Sequence, residues 1–289
     1  MRLAKPQSNH VCQLVYLVPQ VLPMLTDCDT ENPLEQAGYL ELSGEHLYTV
    51  LHGATNPVAR VLLIGPFASE RAYSYIPWVR WARFLAARRV EVLRFDYRGV
   101  GESSGIFADM TFDNWREDVE FLANWLKARS RDLPLILHGL EFGALMASKT
   151  FAGDIGDALL TWAAPPNANE VLRALILRRI AAEHTFRGVV GRKPFCDYIQ
   201  RLDVEPIECE GYQLSGRLWR ESLEFETPLL ALDEPNSRWA RERPMRLLPL
   251  DKRAAPLVKG STMGYLSVNP DLSGLFIDNL GWITKTVAL

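Results

Sequence analysis

From about residue 38 onward, short apolar runs alternate with longer stretches whose apolar residues recur at helical spacing. The short runs have the length of buried strands, and they occupy residues 38–42, 47–52, 60–64, 90–95, 134–138, 158–163, 228–233 and 245–250. The helical stretches between them occupy residues 74–88, 112–127 and 142–151. Strands that alternate with helices predict an α/β fold, in which a mostly parallel central sheet carries helices on both faces.

The pattern changes after the strand predicted over residues 158–163. The next segments are a long helix over 167–184, irregular stretches over 185–226 and, near the end of the chain, a last helix over 275–285. We therefore predict that residues 165–226 form a cap, or lid, inserted into a core made of residues 38–164 and 227–289. The apolar residues of the cap helix either line a cleft or dock the helix on the core, and the pattern leaves both open.

Residues 1–37 are predicted to be an N-terminal extension of this core. An apolar stretch over 11–25 follows Arg2 and Lys5, as in a signal peptide. However, Pro19 and Pro23 interrupt the stretch, and it is too short to span a bilayer. We therefore expect a cytoplasmic protein.

Composition and charge are those of an ordinary globular protein. Apolar residues make up 48% of the chain, charged residues 23%, and the net charge is −3, so nothing indicates a nucleic-acid or membrane partner. The four cysteines, Cys12, Cys28, Cys196 and Cys209, are far apart and form no C-x-x-C pair. Reduced thiols are expected, with no disulfide, metal site or cofactor.

The strongest local motif follows the strand predicted over residues 90–95. It reads Asp96-Tyr-Arg98-Gly-Val-Gly-Glu-Ser103-Ser104-Gly. This segment resembles the α/β-hydrolase superfamily, in which D-x-R-G-x-G-x-S follows the fourth strand. In that superfamily the segment is largely architectural, so the resemblance implies a structural role for Asp96, Arg98 and Ser104.

A second motif stands where the strand predicted over residues 134–138 meets the next helix. It reads Gly139-Leu-Glu141-Phe142-Gly143, which resembles the G-x-S-x-G nucleophile elbow of the superfamily. Glutamate stands where the reactive serine is found in that pattern. The two motifs in this order imply an α/β-hydrolase fold over roughly residues 38–164 and 226–289.

A third segment, Gly65-Pro66-Phe67-Ala68, follows the strand predicted over residues 60–64. In the superfamily this loop and the residue after the nucleophile supply the two backbone N–H groups of the oxyanion hole. The resemblance therefore implies Phe67 and Phe142 for these roles. The loop and the Gly-Glu-Ser-Ser-Gly segment are similar to the serine-aminopeptidase-like branch and to hydrolase-like proteins associated with exosortase systems.

The rest of a Ser-His-Asp triad is incomplete. Asp233, or Glu234 beside it, follows a predicted strand and is a candidate for the acid. A purely structural role for this residue, in a turn before Pro235, is an equal alternative. The base in this superfamily is a histidine beyond the last strand. All five histidines precede residue 185, and they are His10, His46, His52, His138 and His184. We expect His138 to be buried and hydrogen-bonded. His184, in the predicted cap, is the alternative candidate for the base.

This incomplete site leads to two hypotheses. In the first, the protein is a non-catalytic member that binds a small or acyl ligand, or a partner protein, through the old cleft. Glu141 then fills the oxyanion hole as a carboxylate, with Arg71 or Arg98 as its charge partner, because a helix N-terminus favours an anion. In the second, the protein is an active hydrolase or acyltransferase, acting on ester or amide bonds, that uses Glu141 as nucleophile or general base together with Asp233 or His184.

Overall fold

The computed structural model describes residues 34–129, 132–187, 193–225, 243–248 and 272–288. Within these ranges, seven strands form one sheet. They are β1 (Glu35–Leu42), β2 (Glu45–His52), β3 (Ala59–Ile64), β4 (Val90–Phe95), β5 (Leu135–Leu140), β6 (Ala158–Trp162) and β9 (Met245–Leu248). Their order across the sheet is β1-β2-β4-β3-β5-β6-β9. β2 pairs antiparallel with both β1 and β4, whereas β4, β3, β5, β6 and β9 run parallel to one another, which gives the mostly parallel sheet that the alternation of strands and helices predicted.

Helices connect these strands and cover both faces of the sheet. They are α1 (Ala68–Ala86), α2 (Phe112–Arg129), α3 (Phe142–Ala152), α4 (Ala168–Arg187), α5 (Phe195–Leu202), α6 (Gly216–Glu224) and α7 (Ser273–Val287). One face buries a cluster with Trp115 of α2 and Met146 of α3. The opposite face buries Trp81 of α1 and Phe276 of α7. β3 is buried along its whole length, and its residues are therefore apolar except for Arg60, which pairs with Glu91 of β4, as is typical of strands covered on both faces.

The chain between β6 and β9 is more regular than the sequence pattern indicated. Where irregular segments were predicted, the structure has α5, the hairpin β7 (Ile207–Cys209) with β8 (Tyr212–Leu214), and α6. Elements this short carry too few residues for a clear period. Ser215 caps the start of α6, because its hydroxyl accepts from the Leu218 N–H at 3.2 Å.

Other boundaries also differ from the predicted ones. β1 begins at Glu35, before residue 38, and its Glu35 pairs with His52 across the hairpin. α1 begins at Ala68 rather than Ser74, since its first turn is polar and lacks an apolar period. The predicted strand over 228–233 lies outside the described residues. Among those described, no helix has the length and hydrophobicity needed to cross a bilayer.

Candidate functional site

The turn between β5 and α3 holds Glu141 in a backbone conformation that few residues adopt. Its φ is 51° and its ψ is −124°, a combination that is strained for any residue with a side chain. The Glu141 N–H donates to the Trp162 carbonyl at 3.0 Å, and the Glu141 carbonyl accepts from the Ala144 N–H at 2.8 Å. These bonds fix Glu141 between the end of β6 and the start of α3.

The glycines on either side of Glu141 are required by close packing. A Cβ on Gly139 would lie 2.4 Å from the Ala144 Cα, and a Cβ on Gly143 would lie 1.9 Å from the Ile64 carbonyl oxygen. Both distances are far below van der Waals contact, and the obstacles are backbone atoms. The G-x-E-x-G spacing thus allows α3 to start directly against β3 and β5.

A cleft of about 330 Å³ opens beside Glu141, a size at the lower end of small-molecule pockets. Its walls come from the loop after β3, the loop after β6 and the first turns of α4. The apolar residues of these walls include Pro66, Phe67, Ala163, Pro165, Val171 and Ala174. Three carboxylate residues, Glu70, Glu141 and Glu170, line the same space.

The Glu141 carboxyl group lies in an environment that disfavours its charge. Burial and, to a lesser extent, the negative charge of Glu70 raise the pKa of Glu141 to about 7, against the lowering effect of Arg178. The side chain has no hydrogen-bond partner among the described residues, and it does not cap α3. Near neutral pH the carboxyl group is therefore divided between its protonated and ionised forms.

Arg178 of α4 connects the segment above the cleft to the core. Its Nη1 donates to Glu70 Oε1 at 2.7 Å, its Nη2 donates to Glu70 Oε2 at 3.1 Å, and its Nε donates to Glu210. Glu210 also accepts from the Ser69 N–H at 3.0 Å. Glu210 lies at the tip of the β7–β8 hairpin, so one guanidinium joins α4, this hairpin and the first turn of α1.

The prediction that Arg71 or Arg98 pairs with Glu141 is wrong. Arg71 forms a two-point ion pair with Asp96, at 2.9 and 2.8 Å. Arg98 bonds instead to the carboxylates of Asp118 and Glu117. Both arginines are therefore paired with other carboxylates. The cation whose charge lowers the pKa of Glu141 is Arg178.

The prediction that the Glu141 carboxylate occupies the oxyanion hole also requires correction. No hydrogen bond joins it to the Phe67 or Phe142 N–H within the described part of the chain, and its pKa is raised rather than lowered. The burial and the Glu70 charge outweigh the attraction of the α3 N-terminus for an anion. Phe67 and Phe142 do lie together, with ring centroids 5.0 Å apart, and both line the cleft.

The remaining candidate residues lie apart from Glu141 or outside the described ranges. His138 is buried as predicted, with Nδ1 3.1 Å from the Leu160 carbonyl oxygen, and burial lowers its pKa to about 3. His52 Nε2 accepts from Arg94 at 3.1 Å, on the far side of β4 from β3 and β5. His184 belongs to α4. Asp233 lies outside the described residues.

Glu70, Arg178 and Glu210 are the site residues that the sequence did not reveal. The ion pair of Arg178 with Glu70 spans 108 residues and the pair with Glu210 spans 32. Arg178 is one of several arginines along the predicted cap helix, and nothing in its local sequence separates it from Arg179. No motif joins residues that meet only through the packing of three elements.

Comparison with known proteins agrees with this architecture. The model of the alpha/beta hydrolase family matches residues 50–269 of the chain, which is well over half of its length. The protein therefore belongs to the alpha/beta hydrolase family. No sequence match is found among curated proteins.

Solved structures with the same fold are distant in sequence. Est1E from Butyrivibrio proteoclasticus, solved with ferulic acid bound, is 16% identical with a TM-score of 0.58, covering 87% of this chain and 99% of its own. The alpha/beta hydrolase GrgF from Penicillium sp. sh18 is 15% identical with a TM-score of 0.57, covering 88% and 99%. A soluble variant of monoglyceride lipase from Saccharomyces cerevisiae, in complex with a substrate analog, is 14% identical with a TM-score of 0.56, covering 90% and 98%. At these identities the likeness supports the fold alone.

Proposed function

We propose that this protein binds a small, largely apolar ligand in the cleft beside Glu141 without turning it over. One observation carries the proposal: a cleft of about 330 Å³ ends on a glutamate at the position of the superfamily's reactive serine. The fold thus keeps the space for a ligand while the hydroxyl nucleophile is missing. The apolar walls supply the attraction, since each buried Å² of apolar surface contributes about 25 cal/mol.

The surroundings of Glu141 support binding over hydrolysis. Serine hydrolases need a nucleophile, a base that removes its proton and an acid that orients the base. Here no described histidine hydrogen-bonds to Glu141, and the sequence has no histidine after residue 184. An ester formed on Glu141 would have no evident base to activate the water that releases it.

A small ligand is a better fit than a protein partner. The cleft is a concave space between the loop after β3 and α4, and the clamp of Arg178 with Glu70 and Glu210 holds α4 in place. Among proteins of this fold, Est1E was solved with ferulic acid and the yeast monoglyceride lipase with a substrate analog. Both ligands are small molecules.

One observation favours a second candidate, an active hydrolase or acyltransferase based on Glu141. Burial raises the pKa of this carboxyl group to about 7, and a general base works best when its pKa lies near the working pH. Glu141 would then activate a water molecule rather than form an ester itself. This candidate requires turnover that depends on the Glu141 carboxyl group.

The two candidates are separated by turnover and binding measured on the same preparation. Purified protein and Glu141→Ala are assayed with p-nitrophenyl acetate, butyrate and octanoate, and we expect equal background rates for both. Hydrolysis by the wild type that disappears in Glu141→Ala would establish the second candidate instead. Binding is measured by calorimetry with three six-carbon probes: hexylamine, 1-hexanol and hexanoate.

A pair of variants on α4 locates the binding. Val171 lines the cleft, so Val171→Trp should fill it and abolish binding of whichever probe the wild type takes. Leu177 lies on the same helix but is 50% exposed, so Leu177→Trp should bind that probe as the wild type does. If none of the three probes binds the wild type, the proposed function is wrong.

A further inference from the structure

We infer that the ligand of this cleft carries a protonated amine on an apolar body, with the ammonium group against Glu141. The inference rests on the proposed function and names the chemical class of its ligand. It starts from the three carboxylate residues that line the cleft, Glu70, Glu141 and Glu170, and from the cations that each already has.

Two of the three carboxylates form an ion pair with an arginine. Glu70 binds the Arg178 guanidinium through both oxygens. Glu170 lies 3.5 Å from the Arg173 guanidinium, one turn away on α4. The Glu141 side chain forms no ion pair or hydrogen bond within the described ranges, although it lies where the nucleophile of this family meets its substrate. Among the residues that the structure describes, the cleft therefore ends on an acid that lacks a counter-ion.

Arg178 cannot serve as that counter-ion, because two other carboxylates divide it. Glu70 and Glu210 both bond to its guanidinium, and Glu210 takes a further hydrogen bond from the Ser69 N–H. With Glu141, the group holds one positive and three negative charges when all are ionised. A second cation at Glu141 brings the group closer to neutrality.

The charge of the site favours an amine over the other ligand classes that fit an apolar cleft. A fatty acid or another anion would meet two uncompensated negative charges, while the N-terminus of α3 offers only about half a positive charge in return. A neutral alcohol would form one hydrogen bond and leave the charge as it is. An amine adds an ion pair in a partly buried place, where an ion pair is stronger than in water.

Seating the ammonium group requires Glu141 in its ionised form. Below its pKa of about 7, Glu141 holds a proton, and the binding of R–NH₃⁺ displaces that proton to solvent as the carboxylate forms the ion pair. Affinity for the amine should therefore rise roughly tenfold from pH 6 to pH 8, with about one proton released per ligand at pH 6. Glu70, Glu170, Glu210 and Arg178, which surround the site, keep their own partners through this step.

Calorimetry with the three six-carbon probes tests the inference on the full-length protein. We expect hexylamine to bind at least tenfold more tightly than 1-hexanol at pH 8, and hexanoate to bind most weakly. Titrations at pH 6 in buffers of different ionisation enthalpy should give the released proton. Glu141→Gln keeps the shape of the side chain, so it should lose the preference for hexylamine and the proton release while it still binds 1-hexanol.

The outcomes separate the inference from the proposed function. Equal or tighter binding of 1-hexanol or hexanoate, with Val171→Trp abolishing it, would overturn the amine inference and leave a ligand-binding cleft. Amine binding that survives unchanged in Glu141→Gln would also overturn it, since the ion pair would then lie elsewhere. If none of the three probes binds, both the amine inference and the proposed function are wrong. Circular dichroism of Glu141→Gln checks that the variant is folded.

Discussion

Two arginines in this protein each bind two carboxylates, and the two groups differ in their charge balance. Arg98, after β4, bonds to Asp118 and Glu117 of α2. Arg178, on α4, bonds to Glu70 and Glu210. Around Arg98, Asp118 is fully buried while Glu117 is about half exposed and solvated. Around Arg178 there is a third carboxylate, that of Glu141, which interacts with Arg178 and Glu70 through its charge but forms no hydrogen bond with any described residue.

The comparison separates a structural ion pair from a candidate binding site. The Arg98 group is closed by further bonds: the Arg98 N–H donates to Asp118 at 3.0 Å, and Trp115 Nε1 donates to the Arg98 carbonyl at 3.0 Å. In the part of the chain that the structure describes, none of these residues lines the cleft. The Arg178 group lies beside the cleft and holds excess negative charge. Unbalanced charge next to an open space is what a ligand can correct.

The largest effect should come from the buried partner of Arg98. Asp118→Asn removes the charge that Arg98 needs in a place closed to water, so we expect it to lower the free energy of unfolding by about 3 kcal/mol. Glu117→Gln, which removes the half-exposed partner of the same arginine, should lower it by less than about 1 kcal/mol. Urea denaturation at pH 7.5 measures both. Equal losses would show that burial does not distinguish the two partners.

A smaller loss is expected at the second arginine. Arg178→Met leaves Glu70 and Glu210 without their cation, and we expect the free energy of unfolding at pH 8 to fall by about 2 kcal/mol. The loss should shrink at pH 5, because carboxylates without a cation take up protons more readily. Arg179→Met is the matched control, because the neighbouring Arg179 also pairs with two carboxylates, those of Glu183 and Glu208, and none of these three described residues lines the cleft. A loss as large in the control would refute the role given to Arg178.

An effect of opposite sign is expected at Glu141. The folded-state pKa, about 7, lies above the ordinary glutamate pKa of 4.5, so the folded protein loses stability as the pH rises from about 4.5 to 7 and Glu141 gives up its proton. Glu141→Gln should therefore be more stable than the wild type at pH 8, by about 1–2 kcal/mol after allowance for partial exposure. The difference should be absent at pH 4.5. Thermal unfolding across this pH range measures it, and a constant difference would contradict the raised pKa.

The smallest effect concerns Arg71, which the sequence suggested as a partner of Glu141. Because Arg71 is bound to Asp96, Arg71→Met should leave the titration midpoint of Glu141 within about 0.3 pH units of the wild type. Arg178→Met should raise that midpoint, since Arg178 is the cation that lowers it. Carbon NMR of the glutamate carboxyl groups follows both titrations. A clear shift in Arg71→Met would restore the pairing of Arg71 with Glu141.

The fold could be predicted well from local patterns. The segments 60–64 and 90–95 correspond closely to β3 (Ala59–Ile64) and β4 (Val90–Phe95), because a strand buried on both faces is apolar along most of its length. The strained turn at Glu141 could be predicted from its flanking glycines, since a side chain on either would collide with backbone. In each case, the structural constraint acts on residues that are adjacent in the chain, so it restricts which residue types can occur there and is visible in the sequence.

The charge state of the candidate site could not be predicted in the same way. Glu141 is placed by its local sequence, yet its pKa depends on its burial in the folded protein and on Glu70, which comes from another strand–helix unit. Arg178 reaches Glu70 across 108 residues, and Glu210 joins them from the tip of a two-stranded hairpin. Backbone geometry is set by adjacent residues, whereas desolvation and Coulomb forces act through space and need no nearness in sequence. The position of Glu141 can therefore be predicted from the sequence, whereas its unbalanced charge results from the tertiary packing around it.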